Sequence, residues 1–252
     1  MADESNVLDL GKLRKSCAQC SLQVLCLPAS INEDDIHRLD RIVLNRRPLA
    51  RGATLFHGGQ PLGSLFVARE GAFKTVAYDE EGAPQVLGFH LPGELLGLDA
   101  LGTGHHACEA IALTQANVCE VPLSQLETIA AEVPGLQHQL LRIIGQGMNR
   151  DQQHIEMLGR RNAQERLAVF LHQLSTRYRA LGRSGDSFVL PMSREDIASY
   201  LGLVIETVSR TLGKMQEEGL IAVNGRQVSI LDSLRLDKLV HHPEPTVRAA
   251  RS

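Results

Sequence analysis

Apolar positions change period along the chain. Between Asn32 and Arg47, Ile36, Leu39, Ile42 and Val43 recur at steps of three and four. That spacing predicts a short helix, with Asn32 as cap, Asp35 at the capping-box position and Pro48 as terminator. From Pro48 to about Leu123 the runs shorten to Thr54–Phe56, Ser64–Ala68, Phe73–Ala77, Val86–Phe89 and Val118–Val121, divided by glycines such as Gly52, Gly58, Gly71, Gly82 and Gly97. Many short strands at about 8–12-residue spacing predict a β-sandwich or barrel of the jelly-roll kind. Pro134 then opens a long helix, Gly135 to Arg160, on which Leu136, Leu140, Ile143, Ile144, Met148, Ile155 and Leu158 form a seam able to pair with another helix. Asp151, three after Met148 and four before Ile155, falls on that stripe. Either local rotation turns it to solvent, or it is a charge in a dimer seam, where two copies repel and hold the dimer near its threshold.

The C-terminal part reads as a different module. Asn162 with Glu165 starts a helix that buries Leu167, Phe170, Leu171 and Leu174. A loop follows from Leu181, then a short strand at Phe188-Val-Leu. Ser193-Arg-Glu-Asp196 is a capping box opening a helix with Ile197 and Leu201 inward; Gly202 interrupts it, and a second helix runs from Val204 to Glu218 on Val208, Leu212 and Met215. Two short helices joined by a glycine-containing turn make a helix-turn-helix. Glu206, Ser209 and Arg210 share the outer strip of its second helix. Arg210 can fork onto guanine O6 and N7 and Glu206 can accept from a cytosine amino group, although an ordinary surface pair has the same spacing. Asn224-Gly225 behind it predicts a hairpin with a type I′ turn. A hairpin directly after a helix-turn-helix makes a winged helix, which turns the balance to DNA binding.

Composition narrows the function classes. The 252 residues allow about two domains at roughly 100–200 residues each. No apolar run approaches the roughly 20 residues of a membrane span, and the acidic start lacks the features of a secretory signal, so a cytosolic location with reduced thiols is expected. Gly159 to Ser229 carries ten Lys/Arg against seven Asp/Glu, so the rest of a chain of net charge −3 holds −6. That mild basic excess is compatible with nucleic-acid binding and no more. Three of the five cysteines are spaced C-x2-C-x5-C, as Cys17, Cys20 and Cys26, and Cys119 lies far downstream. Such thiols can form disulfides, hold zinc or ligate an iron–sulfur cluster. The reducing compartment and the odd count weaken the first. Zinc modules usually show two CxxC-like pairs, which weakens the second. Cys108 reads as a small buried thiol and His105-His106 as loop residues.

Order and motifs together resemble the CRP/FNR superfamily of bacterial transcription regulators, in its FNR/Anr branch, over nearly the whole chain. The resemblance rests on the four cysteines, Gly88-Phe-His-Leu, Gly93-Glu-Leu, Gly102-Thr-Gly-His-His106, Asp151-Gln-Gln, Asn162-Ala-Gln-Glu-Arg-Leu, and Tyr200-Leu-Gly-Leu-Val-Ile-Glu-Thr-Val-Ser-Arg210. It implies an α+β chain: a cysteine-rich cluster-binding arm at 1–30, a jelly-roll sensor domain at 31–134, a dimerisation helix at 135–160 and a winged helix-turn-helix at 161–240. A disordered tail is expected at 241–252. It further implies a four-iron four-sulfur (4Fe-4S) cluster on Cys17, Cys20, Cys26 and Cys119, and a homodimer that binds palindromic double-stranded DNA resembling TTGAT-N4-ATCAA. Oxygen would abolish that binding. Glu206, Ser209 and Arg210 become base readers, Met148, Asp151 and Ile155 the dimer switch, Leu25 a shield beside a ligand, and the Asp79–Pro84 loop a contact for RNA polymerase. Val204 stands where relatives often have threonine.

Three other readings fit parts of the sequence. A cyclic-nucleotide sensor needs an arginine for the phosphate, and the chain has none between Arg69 and Arg142; no cyclic nucleotide is expected. Structural zinc or another small-ligand effector would keep the architecture without a labile cluster. An enzyme is not expected, because no cofactor-binding glycine fingerprint or nucleophile–base set stands out.

Overall fold

The computed structural model describes residues 17–45 and 48–241; most of the expected tail and the first part of the expected arm lie outside the described residues. Helix α1 (Glu33–Ile42) is capped by Asn32, whose side chain accepts from the Asp35 amide at 2.9 Å. It stops short of Arg47 because the chain leaves as strand β1 (Leu44–Asn45), pairing with Glu120 and Cys119. The stiff β-branched pair Ile42-Val43 suits that exit.

Strands β2 (Thr54–Phe56), β3 (Ser64–Glu70), β4 (Phe73–Tyr78) and β5 (Pro84–His90) lie on the expected runs. So does β8 (Asn117–Pro122). The sequence pattern does not reveal β6 (Leu95–Leu96) or β7 (Glu109–Ala112). The first is too short, and the second buries only alanines, Ala110 and Ala112, beside Phe56 and Phe73. The strands are antiparallel in two four-stranded sheets, ordered β1-β8-β3-β6 and β2-β7-β4-β5. This is a jelly roll, with Phe56, Phe66, Phe73, Leu96 and Val118 in its interior.

Helix α2 (Leu123–Glu132) follows β8 directly and buries Leu126 and Ala130; no side chain caps its start, so the usual signal is missing. Helix α3 (Pro134–Arg160) begins at Pro134 as the sequence indicates. Helix α4 (Ala163–Ala180) opens with the complete Asn162–Glu165 capping box. Arg166 then donates to the carbonyls of Leu158 at 2.7 Å, Arg161 at 2.9 Å and Leu201 at 2.9 Å. One guanidinium thus satisfies helix-end acceptors on both sides of the joint.

The helix-turn-helix is α5 (Arg194–Leu201) and α6 (Ile205–Glu217), with Gly202 at φ 60° between them. The wing comprises β9 (Ser187–Val189), β10 (Ile221–Asn224) and β11 (Gln227–Ile230), ordered β10-β11-β9. Its turn differs from the expected Asn-Gly type I′. Asn224 pairs with Gln227, so Gly225 and Arg226 occupy the tip, and only Gly225 has positive φ. Glycine first and a residue of negative φ second define type II′. Helix α7 (Ser233–His241) closes the module.

The reading module is docked on the roll. The Val86 amide donates to Ser199 Oγ at 2.9 Å, Lys74 Nζ meets Asp196 Oδ1 at 2.6 Å, and the Phe89 and Tyr200 rings lie 5.1 Å apart. Val76, Val86 and Phe89 share one core with Leu171, Leu201 and Val208.

Candidate functional site

Three features compose the site: a thiol-lined cavity, an uncovered helix stripe and a reading helix. Cys17 begins a short 3-10 turn, Cys20 and Cys26 end successive turns after it, and Cys119 projects from β8. All four line one small cavity of about 40 Å³, walled mainly by aliphatic side chains such as Leu27, Leu39 and Val121, with Gln23 and Arg69 also in its lining. The loop is anchored rather than appended. Leu27 is 1% exposed in a core with Leu39, Val121, Leu136 and Ile143, and the Cys17 amide donates to Asp40 Oδ1 at 3.0 Å. No disulfide joins any of the five cysteines.

Burial pushes the Cys17 thiol up to about 12, with Asp40 and then the neighbouring Cys119 and Cys20 adding to it; burial likewise pushes Cys26 up. The Cys17 and Cys26 thiols are therefore poor free nucleophiles; a cationic centre beside them would favour their thiolates. Among the described residues no group of three or more His, Cys, Asp or Glu side chains is gathered to hold a single metal ion. A tetrahedral zinc with Zn–S bonds of about 2.3 Å draws its sulfurs closer than the corners of a four-iron cubane do. Four thiol donors that line one cavity are of the number and type that an iron–sulfur cluster takes. Val24, on the loop that carries the three cysteines, is exposed.

The cavity communicates with α3. Gln139, fully buried, donates from Nε2 to the Cys26 carbonyl at 3.0 Å, and its Oε1 accepts from Arg142 Nε at 2.9 Å. Sequence reasoning passed over Gln139. Its signal was available: it lies three after Leu136 and four before Ile143, a polar residue on an apolar face.

The expected single seam of α3 resolves into two. Leu136, Gln139, Ile143 and Met157 face inward. Leu141, Met148 and Ile155, seven apart, are 63%, 59% and 69% exposed. Ile144, Asp151 and Leu158 form the companion row, the first and last half-buried and Asp151 exposed. Rows seven apart on one helix are the a and d positions of a coiled coil. Nothing in the described chain covers this stripe at Leu141, Met148 or Ile155, and Asp151 is the charged member of it.

On α6, Val208, Leu212 and Met215 are buried, and Glu206 and Arg210 face solvent. Ser209 Oγ accepts from Arg194 Nη1 at 3.3 Å, and Arg210 Nη2 donates to Thr207 Oγ1 at 3.4 Å. Arg194, at the first turn of α5, is a contact that the sequence reading omitted. Val204 sits at the N-cap with no side-chain cap and is 63% exposed.

A jelly roll, a long helix with an uncovered heptad stripe and a winged helix-turn-helix whose second helix exposes Glu206 and Arg210 together define a DNA-binding regulator. The profile of the Crp-like helix-turn-helix domain matches residues 165–239, and that of the cyclic nucleotide-binding domain matches 46–132. The transcriptional activator protein Anr of Pseudomonas aeruginosa is 44% identical over 220 residues, spanning 87% of this chain and 90% of that protein. The fumarate and nitrate reduction regulatory protein of Escherichia coli is 41% identical over 226 residues, 90% of each. Among solved structures, FixK2 from Bradyrhizobium japonicum superposes with a TM-score of 0.72 at 29% identity, covering 79% of this chain and 98% of that one. A CRP-family regulator from Thermus thermophilus gives 0.61 at 26%, covering 77% and 96%. The chain belongs to the FNR/Anr branch of the CRP/FNR superfamily, whose members are transcription regulators and not enzymes. No helix among the described residues is long and apolar enough to cross a membrane.

Proposed function

We propose that this chain is an oxygen-responsive cytoplasmic transcription activator that carries a four-iron four-sulfur cluster on Cys17, Cys20, Cys26 and Cys119. In the absence of oxygen it forms a homodimer and binds a TTGAT-N4-ATCAA-like palindrome. The observation that carries this reading is the convergence of four thiols, three from one loop and one from β8, on an apolar cavity joined through Gln139 to α3. When bound, the cluster supplies an oxygen-labile cross-link between the loop and β8.

The chain's own residues do the rest. Leu22, Leu27 and Val121 keep water from the thiols. Gln139 holds the Cys26 carbonyl, so the position of the loop bears on α3. Leu141, Met148 and Ile155 provide the apolar contact between two copies, and the paired Asp151 carboxylates oppose it. A two-fold dimer sets its two α6 helices into successive major grooves, about 34–36 Å apart, and Glu206, Ser209 and Arg210 read the base edges. The exposed acidic turn after β4, pinned by Asp79 Oδ1 accepting from the Glu81 and Ala83 amides at 3.0 and 2.7 Å, is the proposed contact for RNA polymerase.

One observation favours a second reading, a small-ligand effector. A cavity of about 780 Å³ lies between the roll and helices α3 and α4, within the 300–1,000 Å³ of ligand sites. Three arginines line it: Arg150 and Arg177 are engaged by Glu94, and Arg161 donates to the Leu239 carbonyl at 3.2 Å. Cyclic nucleotide is accordingly not the proposed effector, and micromolar binding by calorimetry would reverse that.

The experiment is an anaerobic absorbance spectrum before and after air, read beside an operator gel shift. Visible absorbance that bleaches as DNA binding is lost is the expected result. A colourless zinc protein, or a Cys20→Ala variant that binds operator equally with and without iron, would overturn the proposal.

A further inference from the structure

The loop of residues 91–94, between β5 and β6, touches the cysteine arm, α3 and the reading module at once. Gly93 has φ 90°, and a Cβ built there would lie 3.1 Å from Leu25 Cβ, so the arm rests directly on this glycine. The loop is tied to β3, its Gly93 amide donating to the Ala68 carbonyl at 2.8 Å and its Glu94 carbonyl accepting from the Ala68 amide at 3.0 Å.

The next side chain, Glu94, is filled on both oxygens. Arg177 of α4 forks onto it, Nε to Oε1 at 2.9 Å and Nη2 to Oε2 at 2.6 Å. Arg177 Nη2 also donates to the Phe89 carbonyl at 2.6 Å. Arg150 of α3 reaches Oε1 at 3.3 Å, and the Leu91 amide donates to Oε2 at 3.0 Å. A planar fork onto a carboxylate fixes direction as well as distance, which a single lysine contact does not. The junction therefore orients α4, and with it the attached α5 and α6, relative to the surface on which Leu25 sits.

We propose that Glu94 is a positioning residue for DNA binding: it passes the seating of the arm, felt through Leu25 on Gly93, to the pose of the reading module through Arg177, separately from dimerisation on the α3 stripe. This rests on the sensor reading above, with the cysteine arm as the part that moves. Its consequence is a second output. Two α6 helices must sit one helical turn apart to reach both half-sites, so a dimer whose modules turn loosely on the roll binds operator poorly although it stays dimeric.

The test uses the full chain, reconstituted anaerobically with iron and sulfide, followed by visible absorbance, sedimentation velocity and operator gel shift. Glu94→Gln keeps the shape and one acceptor but loses the charge and half the fork. Absorbance and sedimentation should match the parent, while the operator Kd rises at least tenfold. Arg177→Lys should give the same pattern from the other side of the joint, and decides the matter if Glu94→Gln fails to fold. Arg150→Gln, removing the longer and more exposed contact, should stay within threefold of the parent. An operator Kd within twofold for both Glu94→Gln and Arg177→Lys overturns the proposal. So does a loss that tracks an equal loss of dimer, or an Arg150→Gln effect as large as that of Glu94→Gln, since the junction would then act through α3. A parent without visible absorbance, or one whose operator binding ignores air, refutes the sensor reading and with it the arm's share in this proposal.

Discussion

Gln139→Leu is the most direct probe of how the cysteine loop is held. Leucine is close to glutamine in volume, so the site is refilled, but the bond to the Cys26 carbonyl at 3.0 Å is lost. That carbonyl keeps a second donor, the Ala29 amide at 3.1 Å, so it is not orphaned. Arg142, released from Oε1, is exposed and finds water. The loss is then that of one satisfied hydrogen bond, about 1 kcal/mol, rather than the larger penalty of an unpaired buried group. Removing an amide from a fully buried position offsets part of this in global stability, because apolar atoms pay no desolvation there. Global unfolding should therefore move by less than about 1 kcal/mol. Loop docking alone should weaken by about that amount, roughly a factor of five in its equilibrium. Pulsed alkylation of the metal-free protein under anaerobic conditions, read by mass spectrometry, separates the two. Cys26 should label about fivefold faster than in the parent, and Cys108, 4% exposed in the roll interior, should label at the parental rate. Equal Cys26 rates would refute the link. A matching rise at Cys108 would show global opening instead.

Asp151→Ala should form dimers in air. Two carboxylates about 6 Å apart at an effective dielectric of 20–40 repel by about 1.5–3 kcal/mol, so the dimer Kd should fall roughly 10- to 100-fold; a monomer on sedimentation counts against the seam. Val204→Thr supplies the missing side-chain cap of α6 and should raise stability by about 0.5–2 kcal/mol in urea titration, with no gain if the exposed start is already solvated. Burial holds the His90 imidazole down to about 4, with Arg177 and Arg150 adding to this against the pull of Glu94. The unfolded chain then binds the extra proton between about pH 6.5 and 4. His90 stabilises fully above that window, and up to about 3 kcal/mol is lost as pH falls through it. His90→Asn should flatten this part of the stability profile, and an unchanged slope would assign the acid loss elsewhere.

The reading helix was legible in detail because its signals are local. Ser193 and Asp196 cap one helix, Gly202 turns the chain, and Val208, Leu212 and Met215 mark the inner face of the next. The jelly-roll strands with large apolar residues were equally plain. β7 and α2 were not, since one buries alanines and the other starts without a cap. The wing turn shows the limit of a dipeptide signal. Asn224-Gly225 announced a hairpin, but the register of β10 on β11, decided by which residues pack beneath, moved the tip by one residue.

Helix α3 draws the boundary most sharply. Gln139 and Asp151 have the same local signature, three after one apolar residue and four before another, and periodicity treats them alike. The fold buries the first against the cysteine loop and leaves the second facing outward between Met148 and Ile155. Residue order alone indicates the helix-turn-helix, the β-rich module, the four thiols and the outer strip of Glu206, Ser209 and Arg210, because these depend on residue type and short-range spacing. Which face of a long helix packs on the chain itself and which is left exposed depends on what lies beside it. So does the gathering of Leu25, Gly93, Glu94 and Arg177 at one joint, since they come from three distant parts of the chain. Contacts between such distant residues leave no period in the sequence, and only tertiary packing brings them together.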